Sequence, residues 1–189
     1  LERILADRPL MLHLAAQPGV RGSFGEQFGQ YVHDNVLATQ RVFEAASTQR
    51  CERVVFASSS SIYGDADAYP VLEGITPRAP KSPYGVTKAT CEDLARIYRS
   101  NGLSTVGLRY FTVYGPWGRP DMGVFKFIEN IIRGKTIDVY NFGKMRRNFT
   151  YIDDIVSGTI VALDTAQPYA VMNIGGDREN TLIEFIEEI

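Results

Sequence analysis

Residues 82–110, SPYGVTKATCEDLARIYRSNGLSTVGLRY, determine the fold class because they join a helix with defined ends to a buried strand. Ser82 can accept a hydrogen bond at the start of the helix, Pro83 suits its first position, and Asn101-Gly102 is typical of its end. The apolar stretch Thr105–Tyr110 then predicts a strand that is covered on both faces. This pattern indicates an α/β protein with a mainly parallel sheet.

The flanking sequence continues the alternation of short apolar runs and amphipathic stretches. Upstream, strands are predicted over Leu10–Ala16 and Arg53–Ala57, with a helix over Gln27–Ser47 between them. Downstream, the alternation of helix and strand continues through Gly123–Arg133, Thr136–Tyr140, Asp153–Leu163 and Ala170–Ile174, and Thr181–Ile189 reads as the first turns of a further helix.

The composition is that of a globular domain and disfavours several classes of protein. Of the 189 residues, 44% are apolar and 22% are charged, and the formal net charge is -2. No uncharged apolar run approaches the roughly 18 residues of a membrane helix, and the acidic balance disfavours nucleic-acid binding. Cys51 and Cys91 lie far apart in the sequence, which disfavours a disulfide framework or a metal site. We therefore expect a cytoplasmic protein with no metal and no membrane or nucleic-acid partner.

Tyr84 and Lys88 lie one helical turn apart at the start of the predicted helix. A phenol ordinarily has a pKa of about 10, and a nearby positive charge favours its phenolate form. Tyr84 can therefore act as a general base, and Ser59, which follows the strand Arg53–Ala57, could bind the same substrate hydroxyl. The Tyr-x-x-x-Lys spacing also arises by chance on many helices, so the pair alone leaves a structural role open.

Four longer motifs follow one another along the chain: ASSSSIYG at 57–64, SPYGVTK at 82–88, LRYFTVYGPWGRPDM at 108–122 and RNFTYIDDIV at 147–156. Together they resemble the NAD-dependent epimerase/dehydratase family of the extended short-chain dehydrogenases/reductases, and most of all its UDP-glucuronate 4-epimerases. The resemblance covers nearly the whole chain. It implies a Rossmann-like parallel sheet, NAD as the cofactor and a UDP-sugar as the substrate.

The resemblance also implies which residues act. The catalytic residues would be Ser59, Tyr84 and Lys88. The cofactor would contact Leu14, Ala15, Ala16, Asn35, Ser58, Tyr84, Lys88, Tyr110 and Phe111. The substrate would contact Ser59, Ser60, Ser61, Thr112, Arg119, Tyr140 and Arg147.

The substrate expectation depends on two serines. Ser60 and Ser61 stand where related sugar 4,6-dehydratases have Asp-Glu, and serines cannot perform that elimination of water. With Thr112 and Arg119 they would instead bind a sugar carboxylate, while Arg147 would bind the diphosphate. The resemblance therefore implies that UDP-glucuronate becomes UDP-galacturonate through transient oxidation at C4. UDP-glucose or another nucleotide-sugar is the alternative substrate.

The chain departs from the family pattern at several points. The glycine-rich cofactor loop and the first three strands of the sheet are expected to be missing. The segment Gly19–Gly25 has the spacing of such a loop, but the HLAAQ before it matches a later segment of the family. Asn148 stands where the family usually has aspartate.

The domain expectation follows from these matches. We expect a partial NAD-binding Rossmann-like domain at 1–112 and 149–166, and a partial C-terminal substrate-binding lobe at 113–148 and 167–189. By analogy with the family, a homodimer would form through the helix Pro83–Ser100. A truncated, catalytically silent nucleotide-sugar-binding remnant is the alternative to an enzyme.

Overall fold

The computed structural model describes residues 1–7, 9–66, 68–164 and 169–189 of the chain. Its α-helices are α1 (Glu2–Leu5), α2 (Phe28–Tyr31), α3 (Ala38–Thr48), α4 (Pro83–Ser100), α5 (Gly123–Ile132), α6 (Ile152–Asp164) and α7 (Leu182–Glu187). Its strands are β1 (Leu10–His13), β2 (Arg53–Ser59), β3 (Ser104–Tyr110), β4 (Thr112–Tyr114), β5 (Arg146–Arg147), β6 (Phe149–Tyr151), β7 (Tyr169–Ile174) and β8 (Asn180–Thr181). Turns of 3₁₀ helix cover Arg21–Ser23, Gly25–Gln27 and Ser60–Ile62, and a π-helix covers Val32–Leu37. The chain also turns at Tyr140–Gly143, where Asn141 and Phe142 have positive φ angles of 49° and 51°.

The chain forms two compact units. The first contains Leu1–Tyr110 and Thr159–Ile174, and the second contains Phe111–Gly158 and Gly175–Ile189. A four-stranded sheet in the order β1-β2-β3-β7 lies in the first unit. The second unit has a parallel pair, β4 with β6, and an antiparallel pair, β5 with β8.

All strands of the four-stranded sheet run parallel. In the register, Val55 of β2 lies between Leu12 of β1 and Val106 of β3. Val55 and Val106 are fully buried, as expected for central strands that are covered on both faces. The expected α/β fold with a parallel sheet is confirmed. Because parallel strands share one direction, Ser59 lies beside Tyr110 at the carboxyl edge of the sheet.

Helix α4 has the ends that the sequence predicts. The Ser82 hydroxyl accepts a hydrogen bond from the Gly85 amide at 3.0 Å, and Pro83 is the first helical residue. Asn101 ends the helix, and Gly102 follows with a φ of 97°. These signals are local to the chain, and the helix that they predict is confirmed.

Three other elements differ from their predictions. The strand predicted to reach Ala16 ends at His13, and the helix predicted over Gln27–Ser47 is interrupted by the π-helix. The strand that the alternation placed at Thr136–Tyr140 is absent. There, Ile137 and Val139 are half-buried while Thr136 and Asp138 are exposed, as in a strand, but the segment has no neighbouring strand among the described residues to bond with. Within the described part of the chain, no helix combines the length and apolar character that crossing a lipid bilayer requires.

Candidate active site

Tyr84 and Lys88 occupy the first turns of α4, above the carboxyl end of β2. The Lys88 side chain is buried, and its Nζ donates a hydrogen bond of 2.9 Å to the carbonyl oxygen of Ala57. The same Nζ lies 5.9 Å from the centre of the Tyr84 ring. Tyr84 is half-buried, and its ring meets the ring of Tyr31 edge to face at 6.3 Å. The two residues that the sequence singles out are therefore adjacent in the structure.

The environment of Lys88 suits a polar ligand. Burial lowers the pKa of Lys88 from its ordinary value. An ammonium group has three hydrogen-bond donors, and the contacts within the described part of the chain give Lys88 one hydrogen bond, to Ala57. The donors left over require polar partners, because an unsatisfied buried cation is costly. Neighbouring hydroxyl groups, such as those of a nucleotide ribose, fit this requirement.

Ser59 lies at the same edge of the sheet. Its Oγ accepts a hydrogen bond of 3.1 Å from the Ser61 amide, so its hydroxyl proton is available for a further acceptor. Ser60 and Ser61 are half-buried in the 3₁₀ turn that follows β2. A Cβ atom at Gly85 would lie only 2.7 Å from the carbonyl oxygen of Ser61. Glycine therefore lets the first turn of α4 approach the serines closely.

Ser58 has a different role from its neighbours. Its Oγ is buried and donates a hydrogen bond of 2.6 Å to Oε1 of Glu92. The same carboxylate accepts two hydrogen bonds from Arg109, whose Nη1 also donates to the hydroxyl of Tyr63 at 2.7 Å. Burial opposes the charge of Arg109, but the Glu92 carboxylate outweighs this and raises the pKa of Arg109.

Sequence reasoning missed this buried pair. The available signals were a glutamate one turn after Lys88 on the same helix face, and an arginine inside an apolar strand. A charge at such a position requires a buried partner.

Asn35 joins two segments of the first unit. It is fully buried in the π-helix, where its Oδ1 accepts a hydrogen bond of 2.7 Å from the Gln17 amide. Its Nδ2 donates to the carbonyl oxygen of Gln17 and to Oγ1 of Thr87, both at 3.1 Å. Thr87 in turn donates to the backbone oxygen of Tyr84 at 2.8 Å. Asn35 therefore ties the segment that follows β1 to the helix that carries Tyr84.

The other residues expected near a cofactor lie at the ends of the strands. Leu14 and Ala15 are exposed and Ala16 is half-buried in the segment after β1. The Tyr110 hydroxyl lies 2.9 Å from Oγ1 of Thr159, and burial raises the pKa of Tyr110. Phe111 is the first residue of the second unit.

The remaining substrate candidates belong to the second unit. Thr112 is half-buried on β4, and Arg147 is exposed on β5. The guanidinium of Arg119 binds the Asp121 carboxylate through Nε, at 2.9 Å, and through Nη2. This pair holds the pKa of Asp121 below its ordinary value. The side chain of Tyr140 lies outside the described residues.

Similarity to known proteins identifies the family of this chain. Residues 1–175 match the model of the NAD dependent epimerase/dehydratase family. UDP-glucuronate 4-epimerase 2 of Arabidopsis thaliana is 46% identical over 162 residues, which are 83% of this chain and 37% of the plant protein. A probable UDP-glucuronate 4-epimerase of Rhizobium meliloti is 37% identical over 205 residues, covering 98% of this chain and 60% of that protein. The chain thus spans about half of the length of these relatives.

The chain also resembles a solved structure of this family in its fold. The UDP-glucuronic acid 4-epimerase from Bacillus cereus, in complex with UDP-glucuronic acid and NAD, superposes with a TM-score of 0.92 and 39% identity. The match covers 99% of this chain and 61% of that one. The shared fold and the match to the family model lead to one conclusion: the chain belongs to the NAD dependent epimerase/dehydratase family.

Proposed function

We propose that the protein catalyses the NAD-dependent 4-epimerisation of a UDP-sugar, with UDP-glucuronate and UDP-galacturonate as its substrate pair. The observation that carries this proposal is the buried ammonium of Lys88, held between the Ala57 carbonyl and the Tyr84 ring. The similarity to the Bacillus cereus epimerase supports the same reaction.

Tyr84 is the general base of the proposed reaction. The charge of Lys88 lies 5.9 Å from the centre of its ring and favours the phenolate form. The phenolate removes the proton from the sugar 4-hydroxyl. Ser59 donates a hydrogen bond to the same sugar oxygen and keeps its proton, since its Oγ already accepts from the Ser61 amide.

NAD fits the residues of the first unit. The donors of Lys88 that Ala57 does not use are suited to ribose hydroxyls, and the small side chains of Ala15 and Ala16 permit a close approach to the backbone. When bound, NAD would accept the hydride from C4 of the sugar and return it to the opposite face. Three of the residues expected to contact the cofactor already bond to protein groups, namely Ser58, Asn35 and Tyr110. We therefore assign to them the role of shaping the cofactor region, and we assign the same role to Leu14 and Phe111.

The second unit provides groups for the sugar carboxylate and the diphosphate. An arginine fork suits a planar carboxylate, and in this unit we assign that role to Arg119, which would exchange Asp121 for the sugar carboxylate, and to Thr112. Ser60 and Ser61, which belong to the first unit, are assigned to the same carboxylate on the family resemblance alone. Arg147, exposed on β5, is assigned to the diphosphate. We place Tyr140 beside the uracil, as the family resemblance implies.

We also propose a cytoplasmic homodimer. Cys51 and Cys91 are both free thiols, which is consistent with a reducing compartment.

Helix α4 exposes Val86 and Ile97 on its outer side, and this apolar surface could pair with the same helix of a second copy. Sedimentation of the full-length protein should give twice the monomer mass, and a monomer would contradict the pairing.

The direct test is turnover of defined sugars by the full-length protein with NAD. We expect UDP-glucuronate to be converted to an equilibrium mixture with UDP-galacturonate, resolved by anion-exchange chromatography. UDP-glucose, assayed in parallel, should react more slowly. Faster conversion of UDP-glucose would replace the proposed substrate. Binding of UDP without any turnover would instead favour the catalytically silent nucleotide-sugar-binding protein.

A further inference from the structure

One side chain in the second unit makes four hydrogen bonds. The Nδ2 of Asn148 donates to the carbonyl oxygens of Gly176 and Arg178, the latter at 3.0 Å. Its Oδ1 accepts from the Gly176 amide at 2.7 Å and from Oγ1 of Thr150 at 2.9 Å. Asn148 therefore holds both backbone groups of Gly176 and fixes the turn at 175–178.

The pattern of donors and acceptors requires an amide. Two carbonyl oxygens face Nδ2, and the Gly176 amide and the Thr150 hydroxyl face Oδ1, so rotating the side-chain amide by 180° would oppose like groups at the two carbonyl oxygens and at the Gly176 amide. An aspartate at this position could accept the same two bonds but could donate neither of the others when ionised. Asparagine, at a position where the family usually has aspartate, therefore provides both the donors and the acceptor that the turn at 175–178 and Thr150 require. Gly175 completes the fit, because a Cβ atom there would lie 2.9 Å from Oδ1 of Asn148.

The turn leads directly to the strand that pairs with Arg147. In the β5–β8 ladder, Arg147 lies opposite Asn180, and the Leu182 amide donates to the Met145 carbonyl oxygen at 2.9 Å. The backbone of Asn148 also accepts a hydrogen bond of 3.3 Å from the Thr112 amide. Asn148 therefore directly follows β5, which carries the candidate diphosphate ligand Arg147, and bonds to β4, which carries Thr112, a candidate ligand of the sugar carboxylate.

We infer that Asn148 is a positioning residue for the diphosphate-binding Arg147. It acts through the turn at 175–178, which sets where β8 pairs with β5 and so fixes the strand that presents the Arg147 guanidinium. This inference rests on the proposed function, because it assigns the diphosphate of the UDP-sugar to Arg147. Asn148 itself touches no substrate.

The test is a double-mutant cycle on UDP binding, measured by titration calorimetry of the full-length protein. Asn148→Asp should weaken UDP binding about tenfold, since two donated hydrogen bonds are lost. In an Arg147→Met background the same change should weaken binding less than about twofold, because the group that it positions is gone. Asn130→Asp, the same chemical change on α5 of the same unit, should leave UDP binding unaltered.

Three results would overturn the inference. The first is UDP binding by Asn148→Asp within about twofold of the unaltered protein, and the second is the same tenfold loss with and without Arg147. If Asn148→Asp does not fold, Asn148→Ser serves in its place; it keeps one donor, and its smaller loss should likewise vanish in the Arg147→Met background. The third result that would overturn the inference is failure of the unaltered protein to bind UDP, and this result would overturn the proposed function as well.

Discussion

In the interior of the first unit, the guanidinium of Arg109 donates two hydrogen bonds to the carboxylate of Glu92, from Nε at 2.9 Å and from Nη2 at 2.8 Å. The two side chains are 4% and 1% exposed. Arg109 lies on β3, and Glu92 lies one helical turn after Lys88 on α4. The pair therefore fixes the helix that carries Tyr84 and Lys88 against the sheet.

Removing the charge of Glu92 should destabilise the protein strongly. In Glu92→Gln the buried guanidinium of Arg109 would lose its counter-charge, which costs about 3 kcal/mol in the free energy of unfolding. Urea unfolding of the full-length protein measures this cost. Glu129→Gln is the matched control, because Glu129 pairs with Arg133 at the surface and should change stability by less than about 0.5 kcal/mol. Equal effects of the two changes would refute the structural role of the buried pair.

Loss of the Arg119 guanidinium should act on the uronate substrate selectively. Arg119→Leu removes a fork of charge-assisted hydrogen bonds, so kcat/KM for UDP-glucuronate should fall about 10- to 100-fold. UDP-glucose has no carboxylate, and its kcat/KM should stay nearly constant. Arg133→Leu, on α5 of the same unit, serves as the control for loss of an exposed arginine. An unchanged kcat/KM for UDP-glucuronate would remove Arg119 from the carboxylate site.

His13 should make folding stability depend on pH. Burial, with a contribution from the charge of Lys88, lowers the pKa of His13 from 6.5 to about 4. Between these values the unfolded chain binds a proton that the folded chain excludes, so stability is full above pH 6.5 and falls as the pH drops towards 4. The loss between pH 7 and pH 5 should be about 2 kcal/mol.

A variant at the same position isolates this contribution. His13→Gln keeps a polar group for Thr39, which lies 3.1 Å from Nε2 of His13, but it has no ionisable ring. Its free energy of unfolding should fall by about 2 kcal/mol less over the same pH interval. Parallel pH dependences of the two proteins would show that His13 does not titrate in this way.

The sequence predicts best those features whose causes are close together in the chain. Helix α4 is one example, because Ser82, Pro83 and Gly102 lie at its own ends. Tyr84 and Lys88 are another, since helical spacing alone brings them together. The sheet follows for the same reason, because its buried strands are short continuous apolar runs.

The features that sequence reasoning missed depend on distant partners. The Glu92–Arg109 pair joins a helix to a strand. Asn35 is among the residues expected near the cofactor, but its bond to Thr87, 52 positions away, is not predicted by the sequence. The strand predicted at Thr136–Tyr140 has the alternation of a strand but lacks a neighbour to bond with among the described residues. In each case the deciding contact is tertiary, and local periodicity carries no information about it.

The most direct test of the proposed mechanism is to compare turnover of UDP-glucuronate by the full-length protein and by its Tyr84→Phe variant, with UDP affinity measured in parallel. The change removes one oxygen, so the variant should bind UDP as tightly as the unaltered protein. Without the phenolate, we expect its rate of UDP-galacturonate formation to fall at least about a thousandfold. A variant that retains UDP binding and still converts UDP-glucuronate at a comparable rate would contradict the role of Tyr84 as the base.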